Sequence, residues 1–148
     1  MEAITKRKSI RSFKPCTISK KVIQEIEAQA RTAPSAGDLK AYRLYRIKSK
    51  QTIKRLAVAA GQDWINGAAV VFVICAEPGK SGIKYGDRGR NQYCVQDATI
   101  FCAYLDLLFV EAGYGTCWVG SINITEVERN VLTQPGSVVL NYLVVGGI

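Results

Sequence analysis

Nine consecutive residues without a charge or an amide, Ala68-Ala69-Val70-Val71-Phe72-Val73-Ile74-Cys75-Ala76, limit the fold of this 148-residue chain more than any other feature. The run is rich in β-branched residues and shows no polar alternation, which marks a central strand buried on both faces. A sheet covered on both sides needs helices above and below it, so the chain is read as a layered α+β or α/β domain, not a bundle or barrel. A second apolar stretch over 138–145 supplies a last core strand. The length is that of one domain, and no linker, repeat or low-complexity stretch divides residues 1–148.

The helices are read from caps and periodicity. Ser19 is an N-cap, Ile18 can staple against Ile23, and Val22, Ile26, Ala30 and Ala33 recur at helical spacing, predicting a helix over 20–32 that Pro34 ends. Residues 42–48 alternate β-formers with Arg and Lys, as an exposed or edge strand does. A short amphipathic helix is expected over 52–60. Residues 77–90 are rich in glycine and charge and read as a mobile excursion. The longest helix is expected over 92–112, with Val95, Ala98, Cys102, Leu105, Phe109 and Ala112 on one stripe and further apolar residues beside it. A helix so apolar around its girth is buried or meets another subunit. Gly113 stops it, residues 115–120 form a short strand ending in a glycine turn, and Thr125-x-x-Glu128 reads as a capping box opening a helix to about Leu132.

Composition narrows the chemistry. The chain has no histidine, which excludes Ser-His-Asp and Cys-His catalysis, histidine-ligated zinc and imidazole proton shuttles. Its five cysteines form no C-x-x-C pair and read as reduced, mostly buried thiols, with no metal expected. No apolar run approaches the ~18 residues of a membrane span, and residues 1–15 lack a signal-peptide pattern; a cytoplasmic setting is expected. The net charge is +8, and residues 1–60 hold 15 Lys and Arg against 4 Asp and Glu. Such a basic half attracts phosphate, whether of nucleic acid, lipid or a small cofactor. Gly79-Lys80-Ser81 is not a P-loop, because Ile74 stands where the first glycine of that motif belongs.

Three segments are candidates for a site. Arg7-Lys8-Ser9-Ile10-Arg11 can surround one phosphate dianion, or be a solvated charge run. Pro34-Ser35-Ala36-Gly37 either only turns the chain or lets backbone approach a flat ligand. Trp118-Val119-Gly120-Ser121 is either a plain strand end or a place where a backbone N–H meets a ligand.

The order of these segments, with K-R-K-S-I-R-S-F at one end of the chain and G-Y-G-T-C-W-V-G towards the other, resembles the nitroreductase family of FMN-dependent oxidoreductases over nearly the whole chain. The resemblance implies a three-layer α/β/α fold with a mixed, mainly antiparallel sheet and a long central helix at a homodimer interface. It implies that Arg7, Lys8 and Ser9 hold the FMN phosphate and ribityl end and that Arg11 reaches the pyrimidine edge. Pro34, Ser35, Ala36 and Asp38 would approach the flavin from the partner subunit. Trp118, Val119, Gly120 and Ser121 would lie along the ring, with a backbone N–H at Gly120 or Ser121 directed at N5. The implied activity takes hydride from NADH or NADPH and reduces a small acceptor, such as a nitro compound, quinone or flavin, by a ping-pong mechanism. No side chain is catalytic, since the chemistry belongs to flavin N5. Asp38 and Lys40-Ala41-Tyr42 depart from the usual Asn and Gln-Pro-Trp of that loop. Many members also continue past the position of Ile148 with a tail that brings another basic residue to the phosphate; its absence is expected either to weaken FMN binding or to leave the phosphate to the N-terminal cluster alone. One alternative is a flavin-dependent dehydrogenase or oxidase of a single metabolite. Another is a flavin-free basic protein contacting nucleic acid, disfavoured because no helix carries a compact basic face and no R-G-F-type motif appears.

Overall fold

The computed structural model describes residues 2–148. Strands β1 (Tyr42–Ile47), β2 (Val70–Ala76), β3 (Gly115–Val119) and β4 (Val138–Gly146) form one sheet in the order β1-β2-β4-β3. All three pairings are antiparallel. The sheet is mixed only through a single parallel bridge between Ser9 and Thr116 beyond β3. The wholly apolar strand β2 is interior and buried at every residue, and β1, with its alternating arginines, is an edge.

Side-chain alternation sends Val70, Phe72 and Ile74 to one face and Val71, Val73 and Cys75 to the other. The first face packs under α2 (Lys20–Ala30) and α5 (Cys94–Glu111), and the second under α3 (Lys50–Ala60) and α6 (Ile124–Val131). These are the three layers that a doubly covered sheet requires. Ser19 caps α2, its Oγ accepting the Val22 backbone N–H at 3.2 Å, and Ile18 and Ile23 are buried on either side of the cap. That helix ends at Ala30, four residues before Pro34. The cap of α6 is Asn123, whose Oδ1 accepts the Glu126 N–H at 3.1 Å. Thr125 therefore lies inside the first turn and no capping box forms. A short α1 (Glu2–Lys6) precedes the basic cluster and was not expected from the sequence.

The largest correction concerns residues 77–90, which are helical. They form α4 (Pro78–Arg88), followed by a π-turn at Gly89–Tyr93 that leads into α5. The glycines provide proximity here. A Cβ on Gly82 would lie 2.6 Å from Arg90 Cγ, and one on Gly89 would lie 2.5 Å from the Ser81 carbonyl oxygen. Gly86 (φ 57°, ψ −139°) turns the chain back between them in a conformation open chiefly to glycine. By length and composition alone the helical stretch Pro78–Glu111 is apolar enough to cross a membrane. In this fold it is broken at Gly86, and Ala98, Phe101, Cys102, Leu105 and Phe109 of α5 are buried in the core.

All five cysteines are free, and only Cys16 is exposed. Burial pushes the thiols of Cys75 and Cys102 up to about 12, so neither is a thiolate at neutral pH. Iodoacetamide at pH 8 should therefore add one carbamidomethyl group per native chain, at Cys16, with the other four modified only in denaturant. Rapid labelling of Cys102 in the native protein would contradict this packing.

Candidate functional site

After α1 the chain runs extended along β3. Ile10 N–H donates to the Thr116 carbonyl at 2.8 Å and Lys14 N–H to the Gly147 carbonyl at 2.9 Å. Phe13 locks the segment: its side chain lies where a Cβ on Gly146 would be, 2.6 Å from the ring. In an extended segment neighbouring side chains diverge, and the basic cluster is divided accordingly. Arg7 lines a cleft of about 470 Å³ with Ala103, Asp106, Leu107 and Trp118. Lys8 lines a neighbouring one of about 270 Å³ with Lys6, Ile10, Tyr114 and Ile148. Arg7, Lys8, Ser9 and Arg11 are exposed. Among the described residues none of these three cations has a carboxylate within ion-pair distance.

The field under the cluster is shaped by two buried groups. Thr116 Oγ1 donates to Asp106 Oδ1 at 2.5 Å. Burial pushes the Asp106 carboxyl above the usual carboxylate range, while the Thr116 bond and nearby Arg7 oppose that rise. Burial also raises the Cys117 thiol, against the pull of Arg11, the Ser9 hydroxyl and Arg7. Arg7, Ser9 and Arg11 thus act on Cys117, in the middle of β3. Cys117 and Val119 are buried, and Trp118, Gly120 and Ser121 are exposed. A Cβ placed on Gly120 would meet nothing within 4 Å, so the backbone at 120 borders open space.

The loop containing Pro34, Ser35, Ala36 and Asp38 lies elsewhere. It is held by Asp97 of α5, a buried carboxylate that accepts the backbone N–H of Ala36 at 2.9 Å and of Ala41 at 3.3 Å. Ser35 Oγ accepts the Lys40 N–H at 2.9 Å. Between these ties Gly37, Asp38 and Lys40 adopt φ of 59°, 55° and 48°, a left-handed backbone that costs free energy for the two non-glycine residues. Pro34, Ser35 and Ala36 border a groove of about 570 Å³ with Tyr93, Gln96 and Ile100. Asp97 and Asp106 are nine positions apart, which is about 13 Å of rise and two and a half turns. The loop and the basic cluster therefore sit at opposite ends and on opposite sides of α5, and one chain does not bring them together.

Neither Asp97 nor Asp106 was singled out from the sequence. Their signal was available: a mostly apolar helix carries only three charges, Asp97, Asp106 and the terminal Glu111, and a charge within such a helix is buried and partnered.

A family model described as the nitroreductase family matches residues 4–67 and 57–147. An Archaeoglobus fulgidus protein proposed to be an NADH dehydrogenase/NAD(P)H nitroreductase is 29% identical over 122 residues, 81% of this chain. The chain spans 66% of that relative, just under two thirds of its length. Among solved structures, a nitroreductase family protein from Clostridium novyi NT superposes with a TM-score of 0.87 at 24% identity, covering 99% of this chain and 83% of that one. The NADPH:FMN oxidoreductase of Vibrio harveyi, in complex with NAD+, gives 0.87 at 22% identity over 99% and 67% of the two chains. At these identities the superpositions show the fold.

Asp97→Ala would leave two backbone N–H groups without an acceptor and is expected to lower stability by about 3 kcal/mol, with new tryptic cleavage at Lys40. Asp97→Asn keeps an acceptor oxygen and should lose less. An unchanged melting temperature in the alanine variant would contradict the anchoring role.

Proposed function

We propose, from the premise that this chain belongs to the nitroreductase family, that it is an NAD(P)H-dependent flavin oxidoreductase using FMN to reduce a small acceptor in a ping-pong cycle. Nitro compounds, quinones and free flavins are the acceptors proposed. The observation that carries the reading is the set of unpaired cations Arg7, Lys8 and Arg11 fixed along β3, beside a strand end whose glycine borders open space. A phosphate dianion needs the first, and a flat ring resting on backbone needs the second.

When bound, FMN supplies the redox chemistry, taking hydride from NAD(P)H and passing two electrons on to the acceptor. The chain's own residues bind and orient. Arg7, Lys8 and Ser9 hold the phosphate and ribityl end. Arg11, at the pyrimidine edge, stabilises the negative charge that reduction places there. Trp118 and Val119 would lie along the ring, and the backbone N–H of Gly120 or Ser121 would be the donor for N5. A main-chain donor does not titrate, and with no histidine in the chain the protons come from solvent.

The separation of loop and cluster supports a homodimer. In a symmetric pair, Pro34, Ser35, Ala36 and Asp38 of one chain would reach the flavin held by the Arg7–Arg11 cluster of the other. The outward surface beside α5 fits a second copy: Val95, Tyr104, Ile4 and Trp118 are large apolar residues left exposed. The same surface argues against the rival of a flavin-free nucleic-acid binder, for which α5 offers no positive charge.

Purified protein should be yellow, with a flavin spectrum. Each charge-assisted contact is worth about 1.5–3 kcal/mol, so the double variant Arg7→Ala, Arg11→Ala should bind FMN at least about a hundredfold more weakly with an unchanged melting temperature. Full occupancy in that variant would overturn the assignment. Gly120→Val places a branched side chain in open space within its own chain, so it should fold normally yet lose FMN; retention of FMN would show that the ring does not rest on this strand end.

A further inference from the structure

The helical hairpin that replaces the expected loop over 77–90 carries a cluster of its own. Four of the five Lys and Arg that follow residue 60 lie within residues 80–90. The tight Gly82/Arg90 and Gly89/Ser81 contacts, with the turn at Gly86, fold this segment back so that Tyr85 and Tyr93 meet edge to face at 5.1 Å. Lys84 Nζ lies 5.4 Å from the centre of the Tyr85 ring, and the Arg88 guanidinium 5.6 Å from that of Tyr93. Neither cation has a carboxylate within ion-pair distance among the described residues, whereas neighbouring Arg90 faces Asp87 at 3.8 Å.

The cluster is seated on the candidate site. Tyr85 Oη would be 2.6 Å, and Lys84 Nζ 3.0 Å, from a Cβ on Gly37, so the hairpin tip leans on the Ser35–Asp38 turn. Tyr93 lines the 570 Å³ groove beside Pro34, Ser35 and Ala36, a space within the range of small-molecule sites. The carboxylate within that turn, Asp38, is paired with Lys40 Nζ at 2.5 Å, and Asp97 behind it has both oxygens engaged by backbone N–H groups. Two half-buried aromatic rings topped by two free cations form a surface complementary to a flat molecule bearing negative charge.

We infer that Lys84, Arg88, Tyr85 and Tyr93 form the acceptor-selecting wall of the site, and that the preferred acceptor is an anionic aromatic compound, a quinone or nitroarene carrying a carboxylate or sulfonate. This rests on the reading that the 34–38 loop abuts the flavin of the second subunit, which places the hairpin tip at the same flavin. The overall reaction is unchanged: NAD(P)H and one proton are consumed, and NAD(P)+ and the acceptor reduced by two electrons and two protons are released. The rings stack on the acceptor, and the cations lower the free energy of its anion in the site.

The test uses FMN-loaded protein with NAD(P)H, naphthoquinone and naphthoquinone sulfonate, and reads the ratio of kcat/KM for the sulfonate to that for the neutral quinone. Partly exposed ion contacts of this kind change affinity by severalfold each. The variant Lys84→Gln, Arg88→Gln should therefore lower the ratio about tenfold and remove most of its dependence on ionic strength. Lys54→Gln, Arg55→Gln on α3 controls for net charge and should leave the ratio at its wild-type value. A wild-type enzyme that reduces both quinones in a ratio the hairpin variant does not move overturns this inference and leaves the flavoenzyme reading standing. Wild-type protein that takes up no FMN, or reduces neither quinone, overturns the reading and the inference with it.

Discussion

Phe101, Cys102, Leu105 and Phe109 of α5 pack into Phe72, Leu143 and Val145 of the sheet, and the rest of the molecule is positioned by that contact. Phe72 and Phe109 meet at 5.4 Å, and at the other end Tyr42 of β1 stacks on Phe101 at 4.2 Å. Burial of such side chains stabilises by about 1.5–3 kcal/mol each, enough to fix one direction for the helix across the strands. That direction determines what its two ends touch. Near its start Asp97 takes hold of the loop that follows α2, and further along Asp106 bonds to Thr116 of β3 beside the basic segment.

Two candidate regions are thus mounted on one rigid element and kept apart by it. The basic cluster is aligned by backbone pairing with β3, and the loop is held in a left-handed conformation by buried acceptors. In the proposed homodimer a ligand would meet the cluster of one chain and the loop of the other, and Val95 and Tyr104 of α5 are large apolar residues left exposed.

Much of this was legible in the sequence, for identifiable reasons. The unbroken apolarity of residues 70–76 does mark an interior strand, and the arginines of β1 an edge. Ser19 caps α2 because hydroxyl geometry at a helix start is local. Residues 77–90 were misread because glycine signals both conformational freedom and the absence of a side chain. At Gly82 and Gly89 the second meaning applies, and only the path of the returning chain reveals it. Asn123 displaced the expected Thr125 cap since two adjacent segments could each start that helix. The helix pattern marks Asp97 and Asp106 as buried charges, but their partners lie 61 and 10 residues away in sequence, so no local pattern names what they hold. The motifs identified the candidate residues, but not that α5 would separate Ser35 from Arg7.

The central claim is that each site is built from two chains, and subunit complementation tests it most directly. The variant Arg7→Ala, Arg11→Ala lacks a working cluster, and Ala36→Trp blocks the loop; each alone should be inactive. A dimer containing one chain of each type has one site with both defects and one with neither, so co-expressed or co-refolded chains should regain FMN binding and NAD(P)H oxidation. A mixture that forms dimers and stays as inactive as its parents would show that cluster and loop serve the same site from the same chain, and would contradict the account.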